Sequence, residues 1–178
     1  MVERINQATV GVKSIDCRFT QVKRLAALTE PQTSAGRMLF DGSARFRWEY
    51  IQPYPHTFII NNDKVYIRSE KVQQTIDISR SRLFKLISQL MLSSVSGTVL
   101  GNATDFDCAL YIAGDEWQAV LTPKRRELKK LMKGVRLHFN SARGMVTKAE
   151  MAEPRGDTTV ITLKDVKTNV KIDERMWR

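Results

Sequence analysis

The sequence predicts a mainly β fold: an antiparallel meander of about ten strands, broken once by a strong amphipathic helix. Three observations carry this reading. Apolar and polar residues alternate with period two through most of the chain. Short turn signals such as Asn61-Asn62-Asp63-Lys64 and Ala113-Gly114-Asp115-Glu116 separate the alternating runs. Only the stretch from Leu83 to Met91 changes to helical spacing, with Leu83, Phe84, Leu86, Ile87, Leu90 and Met91 on one side. A chain of 178 residues suits one domain, and we expect a single domain over residues 1–178.

In order along the chain, Val2 to Lys13 reads as a short amphipathic helix, weakened near its end by Gly11. Ile15 to Lys23 alternates as a half-buried strand, with Ile15, Cys17 and Phe19 on one face. Thr29-Glu30-Pro31-Gln32 marks a loop. Arg37 to Asp41 and Ala44 to Tyr50 form a hairpin about Gly42-Ser43. Its apolar face carries Met38, Phe40, Phe46, Trp48 and Tyr50. Its polar face carries Arg37, Leu39, Asp41, Arg45, Arg47 and Glu49. After Pro53-Tyr54-Pro55, a second hairpin joins Thr57–Ile60 to Val65–Arg68, and Val72 to Ile78 alternates again.

The helix at Leu83 to Met91 can be capped by Ser79 or Ser81 and ended by Gly97. Strands resume at Phe106–Ile112 and Trp117–Leu121. A charged helical turn, Glu127 to Lys133, leads into Val135–Phe139. Met145–Met151 and Thr158–Leu163 complete the meander, with a turn at Pro154-Arg155-Gly156-Asp157.

Hydrophobic residues make up 42% and charged residues 27%, which excludes a wholly disordered chain. Lys and Arg total 29 against 19 Asp and Glu, so the formal charge is +10 and anionic partners are favoured. No apolar run approaches the ~20 residues of a membrane helix. The start, Met1-Val2-Glu3-Arg4-Ile5, lacks the apolar core of a signal peptide. The two cysteines, Cys17 and Cys108, fit no zinc or redox spacing; they read as small buried hydrophobes, with a single disulfide left open. The two histidines, His56 and His138, sit in no catalytic motif, and we expect no enzyme, no metal and no cofactor. Asp105 and Asp107 read as a solvated strand edge.

An antiparallel sheet this large curls or closes. One face gathers Phe19, Met38, Phe40, Phe46, Trp48, Tyr50, Phe58 and Ile60. Two readings stay open: a packed core beneath the Leu83–Leu92 helix, or a lined apolar cavity with that helix as a lid. The densest basic cluster is Lys124-Arg125-Arg126 with Lys129, Lys130 and Lys133. Its plain reading is a solvated face. The alternatives are a phosphate-binding patch for nucleic acid, or a docking patch for an acidic partner or anionic headgroups; because the aromatics share their face with Met38 and Ile60, which suits acyl chains better than bases, we expect no nucleic-acid partner.

Several segments in register resemble the periplasmic lipoprotein carriers of the LolA family. They are Phe19-Thr20-Gln21, Gly36-Arg37-Met38-Leu39-Phe40, Phe46-Arg47-Trp48-Glu49-Tyr50-Ile51-Gln52-Pro53, Ile59-Ile60-Asn61-Asn62-Asp63-Lys64-Val65-Tyr66 and Leu121-Thr122-Pro123-Lys124. The resemblance implies an open, incompletely closed β-barrel with helices forming a lid over an apolar cavity. It implies a non-catalytic carrier of lipoprotein acyl chains, or of another lipid or glycolipid on the same fold. It also implies a periplasmic monomer without stable membrane insertion, its signal peptide already removed, working between an inner-membrane transporter and an outer-membrane receptor. Two positions depart from the pattern. Gly42-Ser43 stands where many members have Arg-Pro, whose arginine helps hold the lid shut. The family's C-terminal strand is not recognisable in Lys171 to Arg178.

Overall fold

A computed structural model describes residues 11–42, 45–77, 100, 104–140 and 145–178. Among these residues it contains eleven strands in one sheet. They are β1 (Ser14–Arg24), β2 (Gln32–Asp41), β3 (Arg45–Gln52), β4 (His56–Asn61), β5 (Lys64–Ser69), β6 (Gln73–Asp77), β7 (Phe106–Ala113), β8 (Glu116–Pro123), β9 (Gly134–Asn140), β10 (Val146–Ala152) and β11 (Thr158–Thr168). A short helix, α1 (Arg126–Lys129), follows β8, and a 3-10 turn spans Glu174–Trp177. The expected helices at Val2–Lys13 and Leu83–Met91 lie outside the described residues.

The strand order is β6-β5-β4-β3-β2-β1-β11-β10-β9-β8-β7. Sequential hairpins account for every neighbour except one: the first strand pairs with the last in the middle of the sheet. The antiparallel sheet is not closed, because β6 and β7 are its two edges. The connection 78–105 therefore leaves from one edge strand and returns to the other. The chain divides into two compact units. One comprises Val12–Phe19, Ser34–Ser96 and Lys164–Arg178, and the other Met1–Gly11, Thr20–Thr33 and Gly97–Leu163.

In the unit built on β2–β6, register fixes the faces. Met38 opposes Trp48, Phe40 opposes Phe46, Phe46 opposes Ile60, and Trp48 opposes Phe58, so these residues share one side. The β4–β5 hairpin turns on Asn62 and Asp63; Asn62 takes φ 52°, a left-handed conformation that asparagine tolerates. The second face was expected to be polar, and here the structure corrects the sequence. Leu39 and Ile59 on that face are fully buried against Trp177, with Tyr66, Ile172 and Met176 packed around them.

The cover is the C-terminal segment. Arg47 donates to the Met176 carbonyl (3.1 Å), Asn61 to the Trp177 carbonyl (3.0 Å) and Arg68 to the Arg178 carbonyl (2.7 Å). Arg45 pairs with Glu174 at 2.6 Å and with Asp41, and its guanidinium lies 5.0 Å from the Trp177 ring centroid. Asp173 accepts from the Arg175 amide and starts the 3-10 turn. Upstream, Ser14 donates to the Val170 carbonyl at 2.6 Å, which holds the segment where it leaves β11.

In the unit built on β7–β10, Trp117, Ala119 and Leu121 of β8 pair with Phe139, Leu137 and Val135 of β9. Most of this side is buried, together with Phe106. The charged turn after β8 is α1, which is anchored by the fully buried Leu128. Lys23 meets Glu153 at 3.1 Å, and the Ala26 amide donates to Asp157.

Two predictions follow from the packing. Trp177→Ala removes the largest side chain of the second face and is expected to cost roughly 3–5 kcal/mol in urea unfolding. Trp177→Phe should cost much less, because the indole Nε1 is buried without a hydrogen-bond partner. Separately, Arg37 grips Asp16 with two hydrogen bonds of 2.8 Å and holds its carboxyl below the ordinary 3.8. That contribution is fully present above 3.8 and is lost as pH falls through the lower folded value. Asp16→Asn should therefore flatten the acid limb of a stability–pH curve below this point and leave the neutral region lower but parallel.

Candidate functional site

The apolar stripe crosses the four neighbouring strands β1 to β4, and all eight residues singled out from the sequence fall on it. Phe19 of β1, Met38 and Phe40 of β2, Phe46 of β3 and Ile60 of β4 are buried. Trp48, Tyr50 and Phe58 are half-buried. The exposure thus rises toward the end of β3 that carries Tyr50. Sequence reading left out the continuation of the stripe on β5, where Val65 opposes Ile60 and Ile67 opposes Phe58. Alternation along Val65-Tyr66-Ile67 carried that signal.

The rings touch in a defined pattern. Phe19 stacks on Trp48 with centroids 4.0 Å apart and meets Tyr50 edge-on at 5.3 Å. Phe46 lies 5.9 Å from Trp48, and His56 stacks on Tyr50 at 4.1 Å. Such offset and edge contacts are the favourable geometries for aromatic quadrupoles. Gly36, opposite Tyr50 in the register, makes room for them. A Cβ at Gly36 would run into the Glu49 carbonyl and come within 2.6 Å of the Phe19 ring. Only a residue without a side chain lets the ring lie over the β2 backbone.

None of the eight stripe residues is acidic or basic. Its only polar atoms are the Tyr50 hydroxyl and the Trp48 indole nitrogen, both at the more exposed end. Such a surface is apolar in character, as the linings of pockets for apolar ligands are. His56 is exposed, with Nδ1 2.9 Å from the Tyr54 carbonyl.

His138 belongs to the other unit. Its Nδ1 lies 2.8 Å from Glu116, and its Nε2 lies 3.1 Å from Glu150, close enough for an ion pair but too poorly aligned for a hydrogen bond. The His138 hydrogen bond holds the Glu116 carboxyl below its usual range. This links β8, β9 and β10, and the buried imidazole has no open approach. Both cysteines are free. Cys17 is buried, and burial pushes its thiol up to about 12. Among the described residues, no group of three His, Cys, Asp or Glu side chains could hold a metal ion.

The basic residues gather around α1. Lys124, Arg125, Arg126, Lys129 and Lys130 are all exposed. Two of them are already engaged: Arg125 with Asp105 at 2.5 Å and Lys124 with Asp107 at 3.6 Å. The acidic pair read as a solvated edge therefore neutralises part of the patch. The candidate lid residues Leu83, Phe84, Leu86, Ile87, Leu90 and Met91 lie outside the described residues. The two arginines in the first hairpin, Arg45 and Arg47, face the C-terminal segment and hold it.

Among the described residues, no helix is long and apolar enough to cross a membrane. Solved structures with the same fold include an uncharacterised conserved protein from Thermus thermophilus (TM-score 0.60, 10% identity, 99% of this chain and 90% of that one). Another is the lipoprotein LppX of Mycobacterium tuberculosis (TM-score 0.52, 12% identity, 97% and 96%). An outer-membrane lipoprotein carrier protein from Pseudomonas aeruginosa is 25% identical over 176 residues, which is 99% of this chain and 81% of the relative. The family model for the outer membrane lipoprotein carrier protein LolA matches residues 10–178, and with that span the chain belongs to the LolA family.

Proposed function

We propose that this protein is a periplasmic carrier that binds the acyl chains of lipoproteins and shuttles them from the inner to the outer membrane. The observation that carries the reading is the stripe itself: eight large apolar residues on one face, three of them half-buried, with no acid or base among them. The wider statement, that the chain is a lipoprotein or lipid carrier, rests on the family. The finer one names its cargo surface as Phe19, Met38, Phe40, Phe46, Trp48, Tyr50, Phe58 and Ile60.

The physical task is to shelter hydrocarbon. Each acyl CH₂ removed from water is worth roughly 0.8 kcal/mol, so acylated cargo cannot cross an aqueous space unaided. Release must also be possible. The helix expected at Leu83–Met91, amphipathic in sequence, is the cover in this reading. Closing it over the stripe when cargo is absent keeps net affinity moderate, because cargo must displace apolar contacts already made. The carrier works without covalent chemistry, as one domain over residues 1–178 and as a monomer. An inner-membrane transporter delivers the cargo and an outer-membrane receptor accepts it, the basic residues around α1 providing a docking patch.

The protein, secreted to the periplasm of a Gram-negative host and purified without detergent, should carry acylated adducts in native mass spectrometry. It should also take up a fluorescent fatty acid. Trp48→Ala is expected to weaken uptake by about tenfold, the worth of one half-buried aromatic contact. Bare protein mass together with no uptake would return the stripe to the status of a packed core. Hydrogen exchange at residues 83–92 should rise when lipid binds; equal protection in both states would remove the moving cover.

A further inference from the structure

The two edges of the sheet are built differently. β6 is short and polar, Gln73-Gln74-Thr75-Ile76-Asp77, with only Ile76 apolar. Short, polar or charged edges discourage further pairing. β7 is longer and more apolar, and its one charged residue, Asp107, lies near its start, where Lys124 pairs with it at 3.6 Å. It is eight residues long, Phe106-Asp107-Cys108-Ala109-Leu110-Tyr111-Ile112-Ala113, with no proline and no lysine. Its register to β8 runs without a bulge from Phe106↔Pro123 to Ala113↔Glu116. Among the described residues, no strand lies beyond it.

Phe106 at its start is buried, but toward its C-terminal end the side chains are open on both sides. Tyr111 is 53% and Ile112 71% exposed, and consecutive strand residues point to opposite faces. Cys108 and Ala109 are exposed as well. An incoming strand would therefore find apolar contacts above and below a row of main-chain donors and acceptors.

Cations gather near the start of β7, two of them paired with Asp105 and Asp107. Its first residue sits opposite Pro123, and the Lys124 amide donates to the Asp105 carbonyl at 2.8 Å. Beyond Lys124 come Arg126, Lys129 and Lys130 on and beside α1, all exposed. Lys124 and Arg125 are partly neutralised by Asp107 and Asp105; among the described residues, these three cations form no ion pair. A strand laid antiparallel to β7 brings its C-terminal end to this cationic corner.

We infer that β7 is a docking edge for an extended peptide segment of a partner protein, apolar along its length and acidic at its C-terminal end. The segment adds as a further strand, its main chain pairing with β7 and its carboxylates meeting Arg126, Lys129 and Lys130. This goes beyond the carrier reading, and it assigns a surface distinct from the apolar stripe.

The test uses a fluorescent peptide of β7's own length, alternating Val and Thr and ending in two Asp, titrated into the full chain. Expected are saturable binding and slowed amide exchange confined to residues 106–113. Ile112→Lys, and independently Tyr111→Lys, should each weaken binding by about tenfold by adding an edge charge. Both side chains are exposed, so thermal unfolding and fatty-acid uptake should be unchanged, which separates this result from the carrier reading. Lys129→Glu with Lys130→Glu should weaken the Asp-ended peptide but not one ending in two Ser. Protection elsewhere than 106–113, unchanged affinity in both lysine variants, or competition by fatty acid would overturn the inference. So would protection of β7 that rises with protein concentration alone, which would mean self-pairing. Binding to anionic vesicles that needs Lys129 and Lys130 but is indifferent to Ile112→Lys and Tyr111→Lys would assign the corner to a membrane surface instead.

Discussion

The β2–β6 unit depends on one constraint: its strands are apolar on both faces, so each face has to be kept from water. On one side stand Met38, Phe40, Phe46 and Trp48, and on the other Leu39 and Ile59. The second side is covered by nine residues at the end of the chain, with Trp177 as the anchor and four side chains of β3–β5 bonded to that segment. Because most of these bonds go to backbone carbonyls, they fix the path of the segment whatever its side chains are. That face is sealed by the chain itself, while Trp48, Tyr50 and Phe58 on the first face stay half-buried.

Much of this was legible from periodicity. The strands, the β4–β5 turn and the stripe from Phe19 to Ile60 follow from alternation, because register in an antiparallel meander carries one strand's pattern directly onto the next. The second face was not legible. Leu39 and Ile59 sit among Arg37, Arg45, Arg47 and Glu49, a composition that reads as a wet surface. What turns it into a core is a segment more than a hundred residues away in sequence, and Lys171 to Arg178 has no periodicity of its own. Its one local clue was Trp177, a large apolar residue in a polar tail. Likewise, the basic run at Lys124 looked uniformly cationic. Only the fold brings Asp105 and Asp107 across from β7's end to neutralise two of its members.

Glycine 36 shows how local geometry and binding chemistry meet. The residue has no side chain to contribute, yet the Phe19 ring lies where its Cβ would stand. The ring in turn stacks on Trp48 and abuts Tyr50. A continuous aromatic wall three strands wide thus depends on an empty position in its middle. Rigid rings have few rotamers to lose, so a wall of this kind is ordered at little cost in entropy.

The pairing of β1 with β11 carries a consequence for how the molecule comes into being. Each of the other neighbours is a hairpin between consecutive strands, so β2 to β6 and β7 to β11 can each assemble from nearby pieces as the polypeptide emerges. The central seam cannot. It has to wait for residues 158–168, more than a hundred positions after β1, and non-local pairings of this sort are the slow ones. Until that last strand is made, the hairpin pairings available to the nascent chain are those within β1–β6 and within β7–β10.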